Sequence, residues 1–165
     1  MILAWVYGAE TSLIRVDQFG YMSAMPKFAL LVDPVEGFNA GQGYRPSGRL
    51  HLVEAGTGRI VYEMRPRPRN EGAVDEDSGD RVWEVDFSEF RRMGRYFIED
   101  TEKGLRSWEF VIDDGTRYKA LLREALRSFF HQRCGLEKEG SWGGPACHVG
   151  PGQDSACLDY EGRGD

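Results

Sequence analysis

Cys134, Cys147 and His148 are the residues whose types and spacing best suit chemistry. Thiolate and imidazole are the donors that Zn²⁺ takes in a closed tetrahedral site. The stretch between the two cysteines, GLEKEGSWGGPA, is rich in glycine and can fold the second back on the first. The spacing C-x12-C-H is not one of the familiar zinc-finger spacings. A third cysteine, Cys157, makes the count odd. In a secreted protein an odd count leaves one thiol over or points to a metal. A Cys134–Cys147 disulfide with Cys157 left over is therefore an alternative, and unpaired thiols are a third. A cysteine nucleophile is disfavoured, because a fold brings an attacking thiol and its base together from distant positions, whereas Cys147 and His148 are adjacent.

The element that would hold Cys134 is the clearest periodic signal in the chain. Tyr118, Leu121, Leu122, Ala125, Leu126, Phe129 and Phe130 recur at helical spacing and form one apolar stripe. Lys119, Arg123, Glu124 and Arg127 take the opposite face. The pattern predicts an α-helix over 116–134. Asp114 or Thr116 suits its start, and Gly135 suits the left-handed position just past its end. Cys134 then falls in the last turn, with a metal loop over 135–148 and an irregular tail beyond. His131, next to Phe130, reads as a helix-surface or interface residue without an assigned role.

Upstream, the period changes from helical to two. Ile14 and Val16 share a face; Phe28, Leu30 and Val32 follow as another. Leu50 and Leu52 face a second run, Ile60, Tyr62 and Met64, across Ala55-Gly56-Thr57-Gly58, which reads as a hairpin. His51, between two leucines, belongs on the outer face. Trp83, Val85 and Phe87 come next, then Tyr96 and Ile98, then Trp108, Phe110 and Ile112. Seven or so short strands with turns between them predict an antiparallel β-sandwich over 12–114. Met93-Gly94-Arg95-Tyr96 resembles the tyrosine corner of immunoglobulin-like folds, in which a phenol hydrogen-bonds back to upstream backbone. Residues 36–48 and 65–80 break the alternation and read as long surface loops. Tyr44, in the first of them, and Trp142 read as exposed aromatics that could stack on sugar rings, although Trp142 better suits a wedge between its loop and a neighbouring domain.

The bulk numbers narrow the function classes. Hydrophobic residues make up 41% of the 165, enough for a core. A formal charge of −6 argues against nucleic acid, since phosphate binding needs a basic face. No apolar run approaches the ~20 residues that span a bilayer. Ile2-Leu3-Ala4-Trp5-Val6 is apolar but lacks a basic flank, so it is not read as a signal peptide. Arg163-Gly164-Asp165 is a tripeptide too short to carry an adhesion function.

Three stretches together resemble one family. IRVDQFGYMSAMPKFALLV resembles the opening of the immunoglobulin-like module of family nine glycoside hydrolases, and DFSEFRRMGRYFI resembles its late turn and strand. ALRSFFHQRCG followed by W-x-x-P-A-C-H resembles the entry into the catalytic domain of these cellulases. The resemblance implies an immunoglobulin-like sandwich over 12–114 and, over 115–165, the truncated start of an α/α-barrel glycosidase domain. It implies a zinc site using Cys134, Cys147 and His148, whose fourth ligand in the family is a histidine beyond residue 165; Cys157 could take that place here. It implies a secreted parent that cleaves β-1,4-glucosidic bonds of cellulose or a related glucan with inversion, an Asp base and a distant Glu acid doing the chemistry. The family carries its base in a G-G-W-x-D-A-G-D-Y segment, which does not occur here, so no catalytic residue is assigned. The expected partners are the barrel of the same chain and, through the parent, β-glucan. A stand-alone β-sandwich module that binds carbohydrate or protein is the rival reading. Such a module would bury the Leu121–Phe130 stripe on its own sheet, whereas an amino-terminal fragment would leave it facing a missing barrel.

Overall fold

A computed structural model describes residues 8–148. The apolar stretch over 2–6, Cys157 and the RGD tail lie outside the described residues. The chain divides into two compact units, the first up to Tyr118 and the second from Lys119.

The first unit is a two-sheet sandwich. One sheet holds β1 (Ala9–Glu10), β3 (Tyr21–Met22), β5 (Leu50–Glu54), β6 (Ile60–Met64), β9 (Gly94–Asp100), β10 (Leu105–Arg106) and β11 (Phe110–Asp113). The other holds β2 (Ile14–Arg15), β4 (Phe28–Pro34), β7 (Arg67–Pro68) and β8 (Asp80–Asp86). β9 is central to its sheet: it pairs antiparallel with β5 on one edge and with β10 and β11 on the other. β5 and β6 form the expected hairpin, with Leu50 opposite Met64 and Leu52 opposite Tyr62. The N-terminal segment crosses between layers. β1 and β3 run parallel to β10 and β11, while β2 joins β4 in the second sheet. This is the expected immunoglobulin-like sandwich.

Its core is the set of inward side chains of both layers. Ile14, Ala29, Leu31, Val85 and Phe87 meet Tyr21, Leu50, Leu52, Tyr96, Ile98, Phe110 and Ile112. Tyr21 packs edge-on against both Phe87 and Phe110, at 5.0 and 5.1 Å between ring centres. Each large apolar side chain buried this way contributes ~1.5–3 kcal/mol.

Four expectations need correction. In β4 the core face is Ala29 and Leu31, not Phe28, Leu30 and Val32; Phe28 is exposed and Leu30 half-buried. FALLV is apolar on both faces, so alternation cannot choose between them; pairing of Ala29 with Val85 and Leu31 with Trp83 does. Trp108 lies outside β11 and is exposed, because buried Ser107 breaks the strand. The Ser107 hydroxyl accepts from the Ile98 N–H at 2.9 Å and donates to the Trp108 carbonyl at 2.8 Å. Residues 65–80 are not all loop, since Arg67 and Pro68 pair with Glu84 and Trp83 at the sheet edge. Tyr44, finally, is buried rather than presented to solvent.

Tyr44 is buried because two aspartates hold it. Its N–H donates to Asp33 Oδ1 at 2.9 Å, and its hydroxyl donates to Asp100 Oδ2 at 2.9 Å. Asp100, fully buried at the end of β9, also accepts from the Ser47 N–H at 3.0 Å and from the Ser47 hydroxyl at 2.6 Å. A buried carboxylate is tolerated only when its lone pairs are met, and these donors meet them. The glycine-rich stretch between β4 and β5 is thereby fastened to the central strand.

At the other end of β9 the tyrosine corner is present. The Tyr96 hydroxyl donates to the Met93 carbonyl and accepts from Arg92 Nε, both at 3.3 Å. A Cβ on Gly94 would lie 2.8 Å from that hydroxyl oxygen. Only glycine lets the ring fold back over its own turn.

Two measurements test these anchors. Tyr96→Phe loses about 1 kcal/mol of stability in urea unfolding, the net worth of a buried hydrogen bond. Gly94→Ala loses more, and the double variant loses less than the two effects added, because the clash with the hydroxyl is gone. Strict additivity would contradict the close approach. The second test uses pH. Burial, reinforced by the neighbouring Asp100 carboxylate, raises the Tyr44 phenol pKa above its ordinary value, and burial also raises that of Tyr21. The unfolded chain ionises these phenols near pH ~10 while the folded chain keeps its protons. Their contribution is therefore complete below that pH and is lost as pH rises above it. Tyr44→Phe makes the alkaline loss of stability shallower than in the wild type; an unchanged slope between pH ~9 and ~11 would refute the assignment.

Candidate metal centre

The second unit carries the thiol and imidazole groups. α1 spans Thr116–Gln132, beginning in the first unit. Asp114 caps it, its Oδ1 accepting from the Thr116 N–H at 3.1 Å. The stripe takes helical form, but the helix buries no residue. Leu122, Leu126, Phe129 and Phe130 are 60%, 59%, 68% and 41% exposed. The helix ends at Gln132, so Cys134 lies just past it rather than in its last turn. Gly135 follows in the left-handed region, φ 73°, and turns the chain out of the helical path.

Two backbone links then bring the loop back. The Gly135 N–H donates to the Cys147 carbonyl at 2.8 Å, which sets the two cysteine segments side by side. Lys138 and Gly144 form an isolated antiparallel bridge, with N–O distances of 3.0 and 2.9 Å. The bridge depends on Gly143, where a Cβ would sit 2.0 Å from the Lys138 carbonyl oxygen. His148 adopts φ 57°, unusual for a residue with a side chain.

The result is a cluster. Cys134 and Cys147 Sγ and one ring nitrogen of His148 lie within 4.8 Å of one another, and all three residues are exposed. No disulfide joins the two cysteines in this structure. Hydrogen bonds with His148 and Cys134, aided by the charge of Lys138, hold the Cys147 thiol below the usual range. Two sulfurs and an imidazole suit a borderline-soft cation such as Zn²⁺, with Zn–S bonds of about 2.3 Å that place tetrahedral donors about 3.8 Å apart. The three groups are thus within a small side-chain rotation of that geometry. Among the described residues no further histidine, cysteine or carboxylate joins them.

The other residues singled out in the sequence lie elsewhere. His51 sits on the outer face of β5, its Nδ1 3.4 Å from the Thr101 hydroxyl. Trp142 is exposed near the tip of the loop, at 79%. His131 stacks edge-on against Phe130 at 5.5 Å, its Nδ1 buried without a hydrogen-bond partner. What the sequence concealed was Gly143: nothing in its type distinguishes it from its glycine neighbours until the bridge is seen.

Comparison with known proteins gives the fold its family. Residues 9–104 match the family described as cellulase N-terminal ig-like domain. The chain belongs to it. A cellulose 1,4-beta-cellobiosidase of Acetivibrio thermocellus is 27% identical over 146 residues, covering 83% of this chain and 15% of that protein. The solved structure of a metagenome-derived glycoside hydrolase family 9 endoglucanase is similar at 32% identity and a TM-score of 0.56, covering 82% of this chain and 24% of that one. A Zn-binding triple mutant of the family 9 endoglucanase J30 is similar at 29% identity and a TM-score of 0.57, covering 77% of this chain and 21% of that one. The cellulase N-terminal ig-like chain described here thus spans less than a quarter of the length of these proteins. The matched residues take in the sandwich from β1 to β9, and β10, β11, the helix and the loop lie beyond residue 104.

Gly143→Ala tests whether the loop backbone assembles the cluster. The added methyl displaces the Lys138–Gly144 bridge and draws Cys147 away from Cys134. A short bifunctional thiol reagent crosslinks the pair in the wild type and does so at most about a tenth as fast in the variant, judged by mass spectrometry. Equal rates would show that the bridge does not set the cluster.

Proposed function

We propose that this chain is the N-terminal part of a secreted family 9 cellulase, in which the sandwich supports an α/α-barrel catalytic domain. The parent hydrolyses β-1,4-glucosidic bonds of cellulose or a related glucan with inversion. Residues 12–114 are the supporting module, and 115–165 begin the barrel domain with its first helix. The observation that carries the reading is the exposed Leu122–Leu126–Phe129–Phe130 stripe, which directly follows a sandwich of the cellulase N-terminal family. Large apolar side chains arrayed on one helix face form a patch of the kind that a further domain covers. The neighbouring endoglucanases, several times longer than this chain, support the same reading.

In this reading Cys134, Cys147 and His148 hold a structural zinc ion. The metal, when bound, supplies a crosslink between the end of the first barrel helix and the loop that leads onward toward the active site. The chain's own residues prepare for it. Gly135 turns the chain aside just after Cys134, and the Lys138–Gly144 bridge returns Cys147 and His148 toward it. The fourth position is completed by a histidine of the barrel, as the family resemblance implies. None of the three residues faces substrate. The general acid and base of inverting hydrolysis need two carboxyl groups across the scissile bond, and the barrel supplies both.

The experiment compares two proteins. The 165-residue chain binds about one zinc per molecule by elemental analysis, loses it in Cys134→Ser, and releases no reducing ends from soluble β-glucan. A chain continued through a G-G-W-x-D-A-G-D-Y segment and the rest of the barrel hydrolyses that glucan. Hydrolysis by the 165 residues alone, or a continued frame encoding no such segment, would overturn the reading.

A further inference from the structure

We infer that Cys134 and Cys147 form a site of reversible oxidative modification, a disulfide that excludes the metal and that the bound metal in turn prevents. The second half rests on the zinc reading above; the first half does not.

Proximity carries the argument. The two sulfurs lie within 4.8 Å, and both side chains are open to solvent, where a small oxidant can reach them. The Gly135 N–H to Cys147 carbonyl link at 2.8 Å constrains the backbone as well. Gly135 N is one peptide unit from Cys134 Cα, and the Cys147 carbonyl oxygen is as near to its own Cα. Standard bond lengths then bound the Cα–Cα separation below about 8 Å. Disulfides need ~4.4–6.8 Å between Cα atoms and an S–S bond near 2.05 Å. The glycines at 135, 140, 143 and 144 leave the loop free to make up the difference.

The chemistry balances with a low-molecular-weight disulfide as oxidant. One cysteine, as thiolate, attacks a sulfur of the reagent; the reagent's S–S bond breaks, and one thiol leaves with the proton that cysteine lost. The second cysteine attacks the protein sulfur of the mixed disulfide and expels the second thiol, which takes its proton. The protein loses two hydrogens and two electrons, and the reagent gains them. Both sulfurs are now consumed, leaving His148 alone, which is too few donors for a zinc site. Conversely, two thiolates committed to a metal are withheld from attack. In an oxidising compartment the order of events decides the state of the loop: metal first gives the zinc form, oxidant first gives the disulfide.

The test uses the full chain carrying Cys157→Ser, so that only one pair is available. After chelation it is incubated with oxidised glutathione and followed by intact mass and peptide mapping. The expected result is loss of two hydrogens, a Cys134–Cys147 linked peptide and no lasting glutathione adduct. Prior zinc slows this at least about ten-fold, and His148→Ala abolishes the protection while still forming the disulfide. Oxidation that stops at the glutathione adduct, or that links two molecules, overturns the proposal. A disulfide that forms equally fast with zinc present, in protein that elemental analysis shows to be metal-loaded, overturns the exclusion. If no zinc binds at all, the zinc reading fails, and the linked peptide alone upholds the modification site.

Discussion

A carboxylate removed from water at the end of the central strand sets the terms for the sandwich. Asp100 is fully buried and has no solvent to share its charge with. The protein meets it with the Tyr44 hydroxyl and both donors of Ser47, which come from a segment more than fifty positions away in the chain. That segment is rich in glycine and has little apolar content of its own, so burial alone would not fix it. The hydrogen bonds do. At the opposite end of the same strand, Tyr96 and Gly94 close the corner by a close approach that any other residue at 94 would prevent. Between these ends β9 offers its edges to β5, β10 and β11, and through them to the crossing N-terminal strands. The apolar core supplies most of the stabilisation, while the two polar anchors decide where the loops go.

The sequence revealed what depends on period and on local steric need. Leu50 and Leu52, Val85 and Phe87, Phe110 and Ile112 alternate, and they are buried. The glycine before Tyr96 announced a corner, and the corner is there. Failures occurred where a residue's own type was silent about its environment. Phe28 and Leu30 are as hydrophobic as Ala29 and Leu31, and only the pairing register separates them. Tyr44 sits among polar residues and reads as exposed; its burial follows from an aspartate that no local pattern links to it. Trp108 fits the alternation of β11, but a buried serine one position earlier ends the ladder.

The candidate site shows the same division. Cysteine and histidine types proclaim themselves, and the amphipathic stripe with a glycine behind it located the helix end to within two residues. The sequence could not show that the loop returns through a bridge between Lys138 and Gly144. Two residues exchanging backbone hydrogen bonds leave no signature in side-chain type. Nor did Gly143 stand out within a run that already holds several glycines.

The bridge matters because little else orders this unit. Among residues 119–148, only Lys138 is buried. The hydrophobic effect, which organises the sandwich, therefore has almost no part in assembling the cluster. Two backbone crosslinks and a helix end do that work, and exposed backbone hydrogen bonds are individually worth about 1 kcal/mol or less. A ligand or a covalent bond that joins Cys134 to Cys147 adds order where the chain supplies least of its own. A metal's affinity for such a loop would be set partly by the order it must impose, so binding and folding would be one equilibrium. A further domain laid over the Leu122–Phe130 face would favour such binding without touching the metal, by ordering the helix that leads to Cys134.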